Sequence, residues 1–130
     1  MKRIVILGAG TGGTIMANRL AKIYRRELRR GSVKITLVDQ DNRHVYQPGL
    51  LFLPFGDYTP GQITKTRWAQ VSEQVALVQA GIDRVEPDRD VVFLEDGTTL
   101  QYDVLILATG TRLAPEETEG MLGDGGRTRV

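Results

Sequence analysis

The chain has 130 residues, of which 41% are hydrophobic and 25% charged; this is the balance of a globular domain with one core, burying about two-thirds of the unfolded chain's surface. Lys plus Arg number 17 against 16 Asp plus Glu, a net charge of +1, which excludes the strong basic field of a nucleic-acid binder. With no cysteine, disulfides, thiolate metal sites and a redox dithiol are excluded within this stretch.

Met1 is followed by two basic residues and an apolar run too short for a secretory signal or a membrane span, so the start reads as native and cytoplasmic. Ile4 to Leu7 is unbroken, apolar and rich in β-branching, the signature of a strand buried on both faces of a parallel sheet. From Gly12 to about Arg30 there is no proline, and Ile15, Met16, Leu20, Ile23, Tyr24 and Leu28 recur at helical spacing, predicting one helix that Gly31 stops. The run Arg25, Arg26, Arg29 and Arg30 reads as a solvated face at the negative end of that helix rather than a phosphate or lipid patch. Ile35 to Asp39 supplies a second buried strand and completes a βαβ unit.

Residues 42–74 are irregular and carry Pro48, Pro54 and Pro60, so they read as a functional loop followed by a short helix. In that helix Ile63, Arg67, Trp68 and Val71 would set Trp68 against the core, which outweighs Trp68 as a ligand-stacking platform. Short strands then follow at Val75–Gln79, Ile82–Val85, Val91–Leu94 and Thr99–Tyr102, broken by Pro87-Asp88 and Asp96-Gly97, a β-meander or a pair of hairpins. A final apolar strand, Val104–Ala108, leads into Thr109-Gly110. Residues 120–130 form a glycine-rich tail expected to be mobile.

The chemistry is concentrated at Gly8-Ala9-Gly10-Thr11-Gly12-Gly13, a G-x-G-x-x-G between a buried strand and a helix. In such a turn Gly8 permits the tight bend, Gly10 lets backbone approach a diphosphate, and Gly13 with Ala17 lets the helix lie close to the strand. Free N–H groups at the helix start, Thr11 and Gly12 among them, would hold the diphosphate with help from the helix dipole. Asp39, ending the second strand, stands where a carboxylate accepts both ribose hydroxyls of an adenosine and repels a 2′-phosphate, which disfavours NADP; capping a turn is its structural alternative. Arg43, as a phosphate partner for such a ligand, is outweighed by a solvated role. No Gly-Lys-Ser/Thr follows the glycines, so a Walker-type loop is excluded. His44 is the single histidine, with no second ligand group beside it, so neither a catalytic residue nor a metal site is assigned.

The order of parts, from G-x-G-x-x-G through a hairpin-rich segment to Tyr102-Asp103, an apolar strand and Ala108-Thr109-Gly110, resembles the FAD domain of the pyridine nucleotide-disulfide oxidoreductases over about residues 2–120. Within that group, His44-Val45-Tyr46-Gln47-Pro48-Gly49 and Leu51-Phe52-Leu53-Pro54-Phe55-Gly56 are similar to the loop after the second strand of sulfide:quinone oxidoreductases and, less closely, of type II NADH dehydrogenases.

The resemblance implies an α/β, Rossmann-like three-layer FAD-binding domain with a parallel sheet and an antiparallel β-meander. It places FAD on Gly8, Gly10, Thr11, Gly12 and Gly13, its ribose on Asp39 with Gln40 beside it, its adenine by the backbone of Ile82, and its flavin ring near Pro48. Ala108, Thr109 and Gly110 would return the chain past the cofactor. Residues 1–119 would then form an N-terminal half-domain and residues 120–130 a link to absent C-terminal domains. Gly123-Asp124 does not match the family's later Gly-Asp motif, because no buried strand precedes it. Electrons would pass from sulfide or NADH to a quinone, with the full-length protein cytoplasmic or peripheral at the inner face of the membrane. The alternatives are a type II NADH dehydrogenase fragment and a stand-alone, non-enzymatic dinucleotide-binding module. The apolar run Leu50–Phe55 reads either as packing or as a contact with a missing domain.

Overall fold

In the computed structural model, which describes residues 1–112, 114–119 and 121, strand β1 (Lys2–Leu7) lies inside a four-stranded parallel sheet. Its neighbours are β2 (Val33–Asp39), in register Ile4 to Ile35 and Leu7 to Val38, and the last strand of the chain, Val104–Leu107, in register Ile4 to Val104. The sheet's other edge is Ala76–Gln79, paired with β2. The start of β1 is fastened across the chain by Arg3, whose backbone N–H donates to the Asp103 carboxylate at 2.5 Å while Asp103 N–H donates back to the Arg3 carbonyl at 2.8 Å.

Both faces of β1 are covered, which is why its sequence does not alternate. Ile4 and Ile6, with Ile35 and Leu37, pack against Ala17 and Ala21 on one face. Val5, Leu7 and Val38 pack against Val92, Leu94 and Tyr102 on the other. The first layer is α1 (Thr11–Ile23) with α2 (Arg25–Arg29); the opposite layer is an antiparallel meander. In chain order the remaining strands are β3 (Arg43–Val45), β4 (Thr64–Thr66), β5 (Ala76–Gln79), β6 (Ile82–Glu86), β7 (Val91–Leu94), β8 (Thr99–Gln101) and β9 (Val104–Leu107). The sheet order is therefore β5-β2-β1-β9, with the meander β6-β7-β8 turning at Pro87–Arg89 and at Asp96-Gly97.

The α/β three-layer expectation matches this architecture, and several local expectations are corrected. The single helix of 12–30 is two helices, broken at Tyr24, whose φ of −93° and ψ of 24° leave the helical region. Beyond Ala21 the apolar face meets the core only through half-buried Leu28: Ile23 and Tyr24 are exposed and α2 fully buries no residue, so packing does not hold one straight axis. The arginine run is exposed on α2 and the residue after it, as a solvated face requires.

The expected helix over Ile63–Val71 is instead strand β4, antiparallel to β3, followed by a 3-10 turn at Trp68–Gln70. Thr64 and Thr66 favour extended backbone, and the pairing rests on a strand far back in the chain, with Arg43 opposite Thr66 and Val45 opposite Thr64. Trp68 does not fill the core: it is 37% exposed, and Val71 packs there in its place. Residues Gln47–Phe55 form a run of 3-10 turns that leaves Leu50, Leu51, Phe52 and Phe55 exposed, with Phe52 edge-on to Tyr58. Strand limits also tighten, since Val75, Tyr102 and Ala108 lie outside β5, β8 and β9. Apart from Met121, the 120–130 tail lies outside the described residues, as does Gly123-Asp124. Among the described residues no helix is long and apolar enough to cross a membrane.

Candidate functional site

The carboxyl ends of β1, β2 and β9 meet at the glycine turn. Gly8 N–H donates to the Val38 carbonyl at 2.8 Å and Ala108 N–H to the Leu7 carbonyl at 2.8 Å, which locks the three strand ends together. Gly8 has φ +95°, and a methyl there would stand 2.3 Å from the Ala108 carbonyl oxygen. A methyl at Gly13 would stand 1.8 Å from the Gly8 carbonyl oxygen. These two glycines are demanded by the fold itself.

Gly10 and Gly12 are different. Nothing lies within 4 Å of a methyl built on either, and neither has positive φ. Gly10 is the N-cap of α1 and brings no capping side chain, no acidic residue sits in the first turn, and Thr14 Oγ1 turns away to donate to the Ala9 carbonyl. The positive end of a 13-residue helix thus opens into a cavity of about 620 Å³ lined by Gly10, Thr11, Gly12, Asp41, Arg43, His44, Val45, Gln47, Arg67 and Ala108–Thr111.

A second cavity, of about 340 Å³, lies on the other side of Asp39 and is lined by Gly8, Asp39, Gln40, Ala80, Ile82, Glu95 and Thr109. Thr109 borders both. Asp39 is largely covered. Its Oδ2 accepts Ala9 N–H at 2.6 Å and an ion pair from Arg67 Nη1, and its Oδ1 accepts Asp41 N–H at 3.3 Å. Arg67 is equally covered; its Nη2 reaches Asp41 Oδ1 at 3.2 Å and its Nε donates to the Arg43 carbonyl at 2.8 Å. The Asp39–Arg67 pair is therefore the partition between the two cavities.

The structure brings eleven of the twelve sequence-derived site residues to this corner. Gly10, Thr11, Gly12, Ala108, Thr109 and Gly110 wall the larger cavity, Gly8, Asp39, Gln40 and Ile82 the smaller, and Gly13 lies beneath, against Gly8. Pro48 is exposed and belongs to neither wall, whereas its neighbour Gln47 does. Sequence reasoning missed Arg67 and Asp41 as members of the site. Arg67 reaches Asp39 across 28 positions through the β3–β4 pairing, and no periodicity in 63–71 signals that. Arg43, set aside as a solvated residue, is exposed yet lines the larger cavity.

The family model described as pyridine nucleotide-disulphide oxidoreductase matches residues 2–129. Mitochondrial sulfide:quinone oxidoreductase of Mus musculus is 25% identical over 118 residues, covering 91% of this chain and 25% of that protein. Type II NADH:quinone oxidoreductase NdhA of Mycobacterium tuberculosis is 30% identical over 115 residues, covering 85% of this chain and 23% of that protein. Among solved structures, the sulfide:quinone oxidoreductase of Aquifex aeolicus superposes with a TM-score of 0.74 at 23% identity, covering 88% of this chain and 25% of that one, a likeness of fold. The chain spans about a quarter of the length of these relatives.

Proposed function

Because the chain belongs to the pyridine nucleotide-disulphide oxidoreductase family, we propose that it is the FAD-binding part of a flavin-dependent oxidoreductase that passes electrons to a quinone, in the manner of a sulfide:quinone oxidoreductase. The observation that carries this reading is the pair Gly10 and Gly12. Packing and backbone conformation would accept alanine at both, so the space they leave open at the start of α1 is space for a ligand.

The residues fit the adenosine diphosphate half of FAD. The N–H groups at the start of α1, which no side chain caps among the described residues, suit a diphosphate in the larger cavity. Asp39 suits a ribose, and the smaller cavity, walled by Ala80 and Ile82, suits an adenine. Ala108, Thr109 and Gly110 would close the site from the end of β9, with Gln40 near the ribose and Pro48 on the flavin side. The bound flavin would supply two-electron redox chemistry, and the protein's share is binding, orientation and exclusion of water.

On this reading residues 1–119 form the N-terminal half-domain, residues 120–130 lead to further domains, and the full-length protein works at the inner face of the cytoplasmic membrane. The donor is sulfide; the identity to the mycobacterial enzyme favours NADH as the second reading. The test is titration of the 130-residue chain with FAD and with ADP by calorimetry, beside Asp39→Ala. Charge-assisted hydrogen bonds contribute about 1.5–3 kcal/mol each, so the variant should lose at least tenfold in affinity for both ligands. Equal affinity in the two proteins removes Asp39 from the ribose, and no binding of either ligand removes the proposal.

A further inference from the structure

We propose that Arg67 is an exchanging cation of the nucleotide site: it holds Asp39 and Asp41 when no nucleotide is bound, and transfers to the diphosphate when ribose hydroxyls take its place on Asp39. This rests on the nucleotide reading above and adds a residue and a sequence of contacts to it.

Each carboxylate oxygen accepts about two hydrogen bonds. Asp39 Oδ2 is filled by Ala9 N–H and Arg67 Nη1, and Oδ1 holds Asp41 N–H. A ribose offers two hydroxyls, one for each oxygen, and Oδ2 has no position left for the second. The Ala9 N–H belongs to the glycine turn and is fixed with it by the strand ends. Arg67 is the donor that can leave, because it sits on a side chain.

Arg67 also has somewhere to go. It lines the cavity that Gly10, Thr11 and Gly12 line, so the guanidinium borders the space where the helix start favours a diphosphate. Its Nε bond to the Arg43 carbonyl anchors the side chain to β3 while Nη1 and Nη2 exchange partners. Arginine suits this because its planar fork meets carboxylate and phosphate in the same geometry. The charges also match: the cation compensates two carboxylates in one state and faces an incoming dianionic or trianionic group in the other.

The discriminating experiment compares ADP with adenosine, which carries the ribose but no phosphate, on wild type, Arg67→Gln and Arg67→Lys of the full 130-residue chain, with circular dichroism confirming that each is folded. Arg67→Gln should weaken ADP at least tenfold while leaving adenosine unchanged or tighter, because the competitor for Asp39 is gone. Arg67→Lys should show the same split to a smaller degree, and carries the test alone if Arg67→Gln does not fold. Equal losses for the two ligands would make Arg67 a structural tie and overturn the exchange, as would no change for either. Wild type that binds neither ligand overturns the nucleotide reading itself, a distinct result.

Discussion

Alanine at Gly8 and alanine at Gly10 should act on different properties of the chain, although the two residues are separated only by Ala9. At Gly8 the left-handed backbone costs a side chain about 1–2 kcal/mol. The methyl would also stand 2.3 Å from a backbone oxygen of Ala108 and 2.8 Å from Thr109 Cα, and forcing β1 and β9 apart adds about 1–3 kcal/mol. Together these remove roughly 2–5 kcal/mol from a total stability of about 5–15 kcal/mol, a fall in melting temperature of roughly 10 °C or more for a domain of this size. At Gly10 the methyl meets nothing within 4 Å, so the cost is the poorer N-cap propensity of alanine, about 1 kcal/mol or less, and the melting temperature should stay within roughly 5 °C. ADP affinity should reverse the ranking: Gly10→Ala, though folded, should bind at least tenfold more weakly, about 1.4 kcal/mol. Thermal melts followed by circular dichroism, with calorimetric titration below the lower transition, measure both. Two variants that melt alike, or a Gly10→Ala protein with wild-type ADP affinity, would refute the division of labour among the glycines.

Trp68→Ala should cost at most about 1 kcal/mol in urea unfolding, where a core tryptophan would cost about 3–5 kcal/mol; emission from this single tryptophan should be red-shifted and quenched by acrylamide in the native state. Hydrogen bonds from the Arg3 side chain, and then from its backbone N–H, hold the Asp103 carboxyl below the ordinary aspartate value. A carboxyl so depressed contributes stability that is whole above the ordinary carboxylate range and lost as pH falls through the lowered value, so Asp103→Asn should flatten the acid limb of stability against pH; an unchanged limb would deny the linkage. The 130-residue chain supplemented with FAD should reduce quinone with sulfide or NADH no faster than free FAD does, and turnover clearly above that control would make it a complete catalyst.

The parts of the fold legible in the sequence were those fixed by short-range pattern. Ile4–Leu7, the glycine turn and Ile35–Asp39 declare a buried strand, a helix start and a second buried strand within 39 residues, and the meander is marked by Pro87-Asp88 and Asp96-Gly97. Residues 42–74 were misread because their structure is long-range. Thr64–Thr66 is extended through its pairing to Arg43–Val45, and Arg67 is oriented by Asp39, Asp41 and the Arg43 carbonyl, none of them near it in sequence. Trp68 was assigned to the core from an expected helical spacing and from its size, yet the 3-10 turn leaves it exposed and brings Val71 inward. The site was legible where glycine is required by geometry or by ligand approach, and illegible where a flexible cation completes it.

The reciprocal bonds between Arg3 and Asp103 join residues 100 positions apart, and this sets a constraint on how the chain assembles during synthesis. β1 leaves the ribosome well before its second neighbour, β9, to which Ile4 pairs at Val104, although the finished sheet pairs it on both sides. Until Leu107 has emerged, the β1–α1–β2 unit has to persist with one edge of its central strand unpaired and Val5 and Leu7 lacking the meander that covers them. While the residues between the two strands are being made, the nascent chain therefore presents an apolar strand edge with unpaired backbone N–H and C=O groups, and expression should depend on chaperone capacity and elongation rate more than the stability of the folded product alone would indicate.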